Sequence, residues 1–198
     1  MITNNTCEIV VVRHGQTIAN KEGILQGQID TQLDEVGLLQ AKAVAQRLKH
    51  QHFDLVYSSD LSRTIVTSQE IVKFHQGLEV IPTPYLREWH LGIFQGQKLS
   101  DLKSSNPDFL TALKKDGSNA NIPDGENVEE FHKRIVTFLD DIANKNLGKR
   151  ILLVSHGGSI GRMLIHVFGP LSSTNTRPLC DNVSISSFKY FFQAFPIF

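Results

Sequence analysis

Two short tracts hold the residues best able to do chemistry. Arg13-His14-Gly15-Gln16-Thr17 follows the aliphatic run Ile9-Val10-Val11-Val12, and Ser155-His156-Gly157-Gly158-Ser159 follows Ile151-Leu152-Leu153-Val154. Each histidine stands two residues after a valine and is followed by glycine. A neutral imidazole can attack phosphorus and carry a phosphoryl group covalently. Arg13, and Arg63 further along, stay charged at any physiological pH and present forks that match phosphate oxygens. If the tracts converge, the pocket is cationic and suits a ligand with several anionic oxygens, a phosphate ester above all. One imidazole then attacks, while the other and the arginines stabilise charge on the equatorial oxygens of the transition state. The leaving alkoxide needs a proton. Glu88, between Arg87 and Trp89 in an irregular stretch, is the acid best placed by context, and it could later deprotonate the hydrolytic water.

Convergence depends on the elements that carry these residues. Short aliphatic runs bounded by polar residues predict strands buried on both faces, here 9–12 and 150–154. Residues just past the carboxyl ends of such strands lie where open α/β sheets bind ligands. Gly15 allows a tight turn or a close approach there. Residues 20–33 read as a long loop, and Asp34 caps a helix with Val36, Leu39, Ala43, Val44 and Leu48 on its apolar face. Residues 54–57 are a second strand. A helix over 61–74 turns Ile65, Ser68, Ile71 and Val72 inward and holds Arg63 in its first turn, where the amino end favours anions. A third strand over 79–81 is closed by Pro82 and Pro84.

The stretch from 99 to 121 predicts two short helices split at Asn106-Pro107, and 122–127 is a turn. The clearest amphipathic helix spans 128–143, with Phe131, Ile135, Phe138, Leu139 and Ile142 inward. A helix over 158–168 and a strand over 183–188 complete the pattern. This alternation predicts a three-layer α/β/α sandwich, its sheet mainly parallel, with right-handed crossovers and helices on both faces. The 198 residues suit one domain with a lid-like excursion over about 97–127.

Composition narrows the partners. Net charge is zero and no basic block occurs, which argues against nucleic acid. Apolar runs are too short to span a bilayer, and the first residues lack the pattern of a secretory leader. Cys7 and Cys180, the only cysteines, have no metal-ligand spacing. No HxH, HExxH or carboxylate cluster accompanies His14 or His156, so no metal is expected. His50, His52, His75, His132 and His166, with Arg47 and Arg134, read as surface residues. The expectation is a cytoplasmic protein acting on a small phosphorylated metabolite as monomer or homodimer. The tail 190–198 is aromatic and packs on the core or on an oligomer partner.

These residues resemble the histidine phosphatase superfamily, which includes the cofactor-dependent phosphoglycerate mutases and fructose-2,6-bisphosphatase. Arg13-His14-Gly15 is similar to its signature, and Asn20 and Gln26-Gly27 match positions that contact the substrate. Asp30, Leu33, Gly37, Gln40 and Ala41 continue the likeness. Ser58-Ser59-Asp60-Leu61-Ser62-Arg63-Thr64 resembles the segment that brings the second arginine, and Leu86-Arg87-Glu88 with Gly92 and Gln95-Gly96 the acid/base segment. Pro123-Asp124-Gly125-Glu126-Asn127 and Val154-Ser155-His156-Gly157-Gly158 complete five motifs in the expected order. The resemblance implies that His14 is the nucleophile and Glu88 the proton donor. It implies that Arg13, Arg63 and His156 bind the phosphoryl group, that Asn20, Gln26, Gly27 and Gly157 bind substrate, and that no metal or other cofactor is needed.

Within the superfamily, His90 and Gln95 are similar to the mutases. The mutases, however, resemble one another in a long insertion and a paired arginine before the second histidine. Here about thirty residues separate Gln97 from Asn127, and Lys114-Lys115 is the nearest basic pair. A mutase must also keep water from its intermediate, which a short lid makes harder. The expected activity is therefore a metal-independent phosphomonoesterase. The alternatives are a 2,3-bisphosphoglycerate-dependent phosphoglycerate mutase, with that bisphosphate as cofactor, and a non-catalytic module that binds phospho-ligands.

Overall fold

The computed structural model describes residues 6–115, 122–169 and 180–191. Five strands form one sheet in the order β3-β2-β4-β1-β5. At its centre β1 (Thr6–Arg13) runs parallel to β4 (Arg150–Ser155), with Val12 opposite Val154 and Arg13 opposite Ser155. Ile9 to Val12 and Ile151 to Val154 are all buried, as continuous aliphatic strands covered on both faces must be. β2 (Leu55–Ser59) lies parallel to β4 and to β3 (Val80–Thr83). β5 (Ile185–Phe191) pairs antiparallel with β1 and closes the other edge.

Alternate side chains of the central strands feed two cores. Val10, Val12, Leu152 and Val154 meet α2 (Glu35–Leu48) and α3 (Ser62–Val72) through Val44, Leu48 and Ile71. Ile9, Val11, Ile151 and Leu153 share the other core with Phe131, Ile135 and Leu139 of α6 (Val128–Lys145) and Ile160 and Met163 of α7 (Gly157–Phe168). The expected three layers are present. α4 (Leu99–Ser105) and α5 (Pro107–Lys115) are the two short helices split at Asn106-Pro107. Leu102, Phe109 and Leu110 bury them in the second core, and Phe109 stacks on Phe94.

Several local expectations are corrected. The long loop is interrupted at its start by α1 (Ile18–Glu22), whose Thr17 and Asn20 form a reciprocal capping box. Asp34 does cap α2, but the buried face is Gly37, Ala41, Val44, Ala45 and Leu48, while Val36, Leu39 and Ala43 are exposed. Close approach decides this: a Cβ on Gly15 would lie 2.5 Å from the Gly37 carbonyl oxygen, so α2 meets the site loop through its small residues. On α3 the fully buried positions are Arg63, Thr64, Thr67, Ser68 and Ile71, with Ile65 and Val72 only half-buried. His75, His132 and His166 are half-buried rather than on the surface. The tail beyond Phe191 lies outside the described residues.

Candidate active site

In-register strands bring the two histidines together. His14 and His156 each follow paired residues of β1 and β4, and adjacent strands are about 4.8 Å apart. Their rings accordingly meet edge to face with centroids 5.1 Å apart. Both side chains are buried, at 3% and 0% exposure. Burial, reinforced by the nearby Arg63 charge, holds both imidazoles well below the ordinary value of 6.5, so both are neutral at pH 7.

Hydrogen bonds fix the tautomers. His14 Nδ1 lies 2.7 Å from the Gly15 carbonyl oxygen. A carbonyl only accepts, so Nδ1 carries the proton and Nε2 keeps its lone pair. Arg63 Nε only donates, and it is 3.2 Å from His156 Nδ1. His156 therefore carries its proton on Nε2, which donates to Ser59 Oγ at 2.9 Å. Both nitrogens of His156 are engaged, so a phosphoryl group reaching this ring must take over one of those bonds.

The arginines are held differently. Arg63 is 1% exposed. Its guanidinium donates to the carbonyls of Gly27 and Ile29, both at 2.9 Å, and so anchors the loop carrying Gln26 and Gly27. Burial lowers its pKa to about 10, which leaves it cationic at neutral pH. Arg13 donates through Nη1 to the Cys180 carbonyl, while its Nε is buried with no partner among the described residues. A buried donor left unpaired is costly unless a ligand supplies the acceptor.

Glu88 arrives from the stretch after β3. Its carboxylate accepts from the backbone N–H of Trp89 and of Gly158, each at 2.9 Å, and so lies at the amino end of α7. A Cβ on Gly158 would sit 2.3 Å from Glu88 Oε1. Glycine is needed there for the carboxylate to come so close.

A cleft of about 240 Å³ collects these groups: Arg13, His14, Arg63, Glu88 and His156 all line it, as do Asn20, Gln26 and Gly27. Asn20 is also the capping partner of Thr17, and Gln26 Oε1 accepts from the Thr17 and Thr31 hydroxyls. Gly157 does not line the cleft. It abuts Arg13, and Gly158 takes the place in the wall. Leu113 reaches the cleft from α5, and Ile24, Leu25, Trp89 and Leu91 add apolar wall. His90 and Gln95 are absent from the lining; Gln95 instead accepts from the Gln28 and Leu91 amides. Among the described residues no group of three or more His, Cys, Asp or Glu could hold a metal ion, and no helix is long and apolar enough to cross a membrane.

Sequence reasoning missed Ser59, Glu126 and Arg134. Ser59 and Glu126 fall inside segments singled out above. Arg134, expected on the surface, is 17% exposed and paired with Glu126; nothing in the periodicity of α6 distinguishes it.

The arrangement places two neutral imidazoles, two arginines and a carboxyl group around one small cleft. The family model of the histidine phosphatase superfamily (branch 1) matches residues 9–196. The chain is 39% identical to phosphoglycerate mutase-like protein 4 of Arabidopsis thaliana, covering 93% of this chain and 80% of that protein. It is 38% identical to the metal-independent phosphoserine phosphatase of the same plant, covering 84% and 71%. Among solved structures, a mycobacterial glucosyl-3-phosphoglycerate phosphatase superposes with a TM-score of 0.81 at 28% identity, covering 93% of this chain and 90% of that one.

Proposed function

The chain belongs to the histidine phosphatase superfamily, and from that premise we propose that it is a metal-independent phosphomonoesterase acting through a phosphohistidine on His14. The observation that carries this reading is the hydrogen bond from His14 Nδ1 to the Gly15 carbonyl, which leaves Nε2 unprotonated in a ring lining the cleft. Nε2 attacks phosphorus, the P–O ester bond breaks, and the Glu88 carboxyl group gives its proton to the departing alkoxide. Water then attacks the phosphohistidine, its proton goes to the Glu88 carboxylate, and the P–N bond breaks to release phosphate. Arg13 and Arg63 bind the phosphoryl oxygens through both steps. The unpartnered Arg13 Nε supports that role.

The substrate is a small phosphorylated metabolite, as a cleft of about 240 Å³ admits. The relative described as a metal-independent phosphoserine phosphatase supports hydrolysis without metal. His90 and Gln95, the residues similar to the mutases, stand outside the cleft and so give no ground for mutase chemistry. Free thiols at Cys7 and Cys180 suit the cytoplasm.

Phosphate release from a panel of phosphomonoesters, with EDTA present, tests the reading in wild type and His14→Ala. Release that survives EDTA and vanishes in the variant supports it. Isomerisation of 3-phosphoglycerate in the presence of 2,3-bisphosphoglycerate, with no phosphate released, overturns it in favour of a mutase.

A further inference from the structure

Glu88 sits in a stretch with little regular backbone bonding between β3 and α4. Such a stretch must satisfy its carbonyls elsewhere. One side chain, Arg134, meets three of them, with Ser159 Oγ as a second donor at Arg87 and Gln28 Nε2 at Glu88. Arg134 Nη1 donates to the carbonyls of Tyr85 at 2.9 Å and Arg87 at 3.0 Å, and Nη2 donates to that of Glu88 itself at 3.1 Å. The same guanidinium forms a two-pronged pair with Glu126, Nε to Oε1 at 2.6 Å and Nη2 to Oε2 at 2.8 Å. Glu126 in turn accepts the amide of His90 on Oε2 at 3.0 Å, and its carbonyl accepts the Trp89 indole N–H at 2.8 Å. Every backbone group from 87 to 90 that this pair touches flanks the acid, yet neither Arg134 nor Glu126 lines the cleft.

We infer that Arg134 and Glu126 are positioning residues for the acid step: together they clamp the backbone on both sides of Glu88 and aim its carboxyl group at the leaving oxygen. This rests on the assignment of Glu88 as proton donor. A planar guanidinium with five fixed donors can reach three carbonyls and a carboxylate at once, whereas an ammonium cannot reproduce that fork. Displacement of a reacting group by about 1 Å costs on the order of 100-fold in rate.

The test separates proton delivery from the rest of the site. An alkyl phosphate needs the acid for its leaving group; p-nitrophenyl phosphate, with a stable phenolate, scarcely does. Arg134→Ala, Arg134→Lys and Glu126→Gln are assayed on both esters beside Glu88→Gln, with thermal unfolding of each. Arg134→Ala is expected to lower kcat on the alkyl ester about 100-fold and on p-nitrophenyl phosphate less than about fivefold, with KM unchanged. Arg134→Lys and Glu126→Gln lie between, and adding Glu88→Gln to Arg134→Ala brings little further loss. Equal losses on the two esters overturn the clamp as a positioning device, as does full additivity with Glu88→Gln. If Arg134→Ala does not fold, Arg134→Lys and Glu126→Gln carry the same comparison. Should Glu88→Gln itself fail to discriminate the esters, the assignment of Glu88 falls, and the clamp falls with it.

Discussion

His14 and His156 stand edge to face, 5.1 Å between ring centroids, because the strands that deliver them run parallel and in register. Burial and the nearby Arg63 charge disfavour a second proton on either imidazole. The neutral pair is the state in which His14 Nε2 can attack phosphorus. Burial, with the Arg63 charge second, thus keeps both rings neutral, and under the proposed mechanism this leaves the His14 Nε2 lone pair free.

Stability should reflect this. Imidazoles in the unfolded chain titrate near 6.5, and these two titrate lower when folded. Above 6.5 neither state binds the proton. As pH falls below 6.5 the unfolded chain takes up protons first, so the fold loses stability until the folded-state values are reached. The slope is about 1.4 kcal/mol per pH unit for each imidazole. Urea unfolding at about pH 7.5 and about pH 5.5 should show His156→Gln losing about 1 kcal/mol less than wild type on acidification. An equal loss would mean that His156 is not held neutral.

Gly158 can be tested without disturbing the core. The atoms nearest to a methyl group there are the end of the Glu88 side chain, which can move away. Gly158→Ala should therefore keep its unfolding temperature and lose about 100-fold in kcat on an alkyl phosphate. Unchanged kcat would show that the carboxyl position against the α7 amide does not matter.

Much of this site was legible in the sequence, for physical reasons. The aliphatic runs before His14 and His156 admit one reading, central strands, and their carboxyl ends then fall side by side. Arg63 was legible from its place in the first turn of α3 and from its motif, but its burial was not, since a helical arginine held against carbonyls at 27 and 29 leaves no trace in periodicity. The apolar face of α2 was misread because contact is made by Gly37 and Ala41, whose small size matters more than hydrophobicity. Arg134 was invisible because its partners are backbone carbonyls, which every sequence supplies, and Glu126, which lies outside its helix. The antiparallel pairing of β5 with β1 carries no signal in the strand's own residues.

Ser59 offers a check on the His156 tautomer. Its hydroxyl is the acceptor for His156 Nε2–H in a fully buried setting. Ser59→Ala leaves that N–H without a partner and should destabilise the fold by about 1–3 kcal/mol in urea unfolding. A change below about 0.5 kcal/mol would indicate that the bond is not made.

The most direct measurement is an alkaline quench during turnover of a phosphoryl-labelled ester, followed by peptide mapping. The label is expected on His14, through the P–N bond, and absent from His14→Ala. Rapid phosphate release with no label on His14, or with label on another residue, would contradict nucleophilic attack by its Nε2.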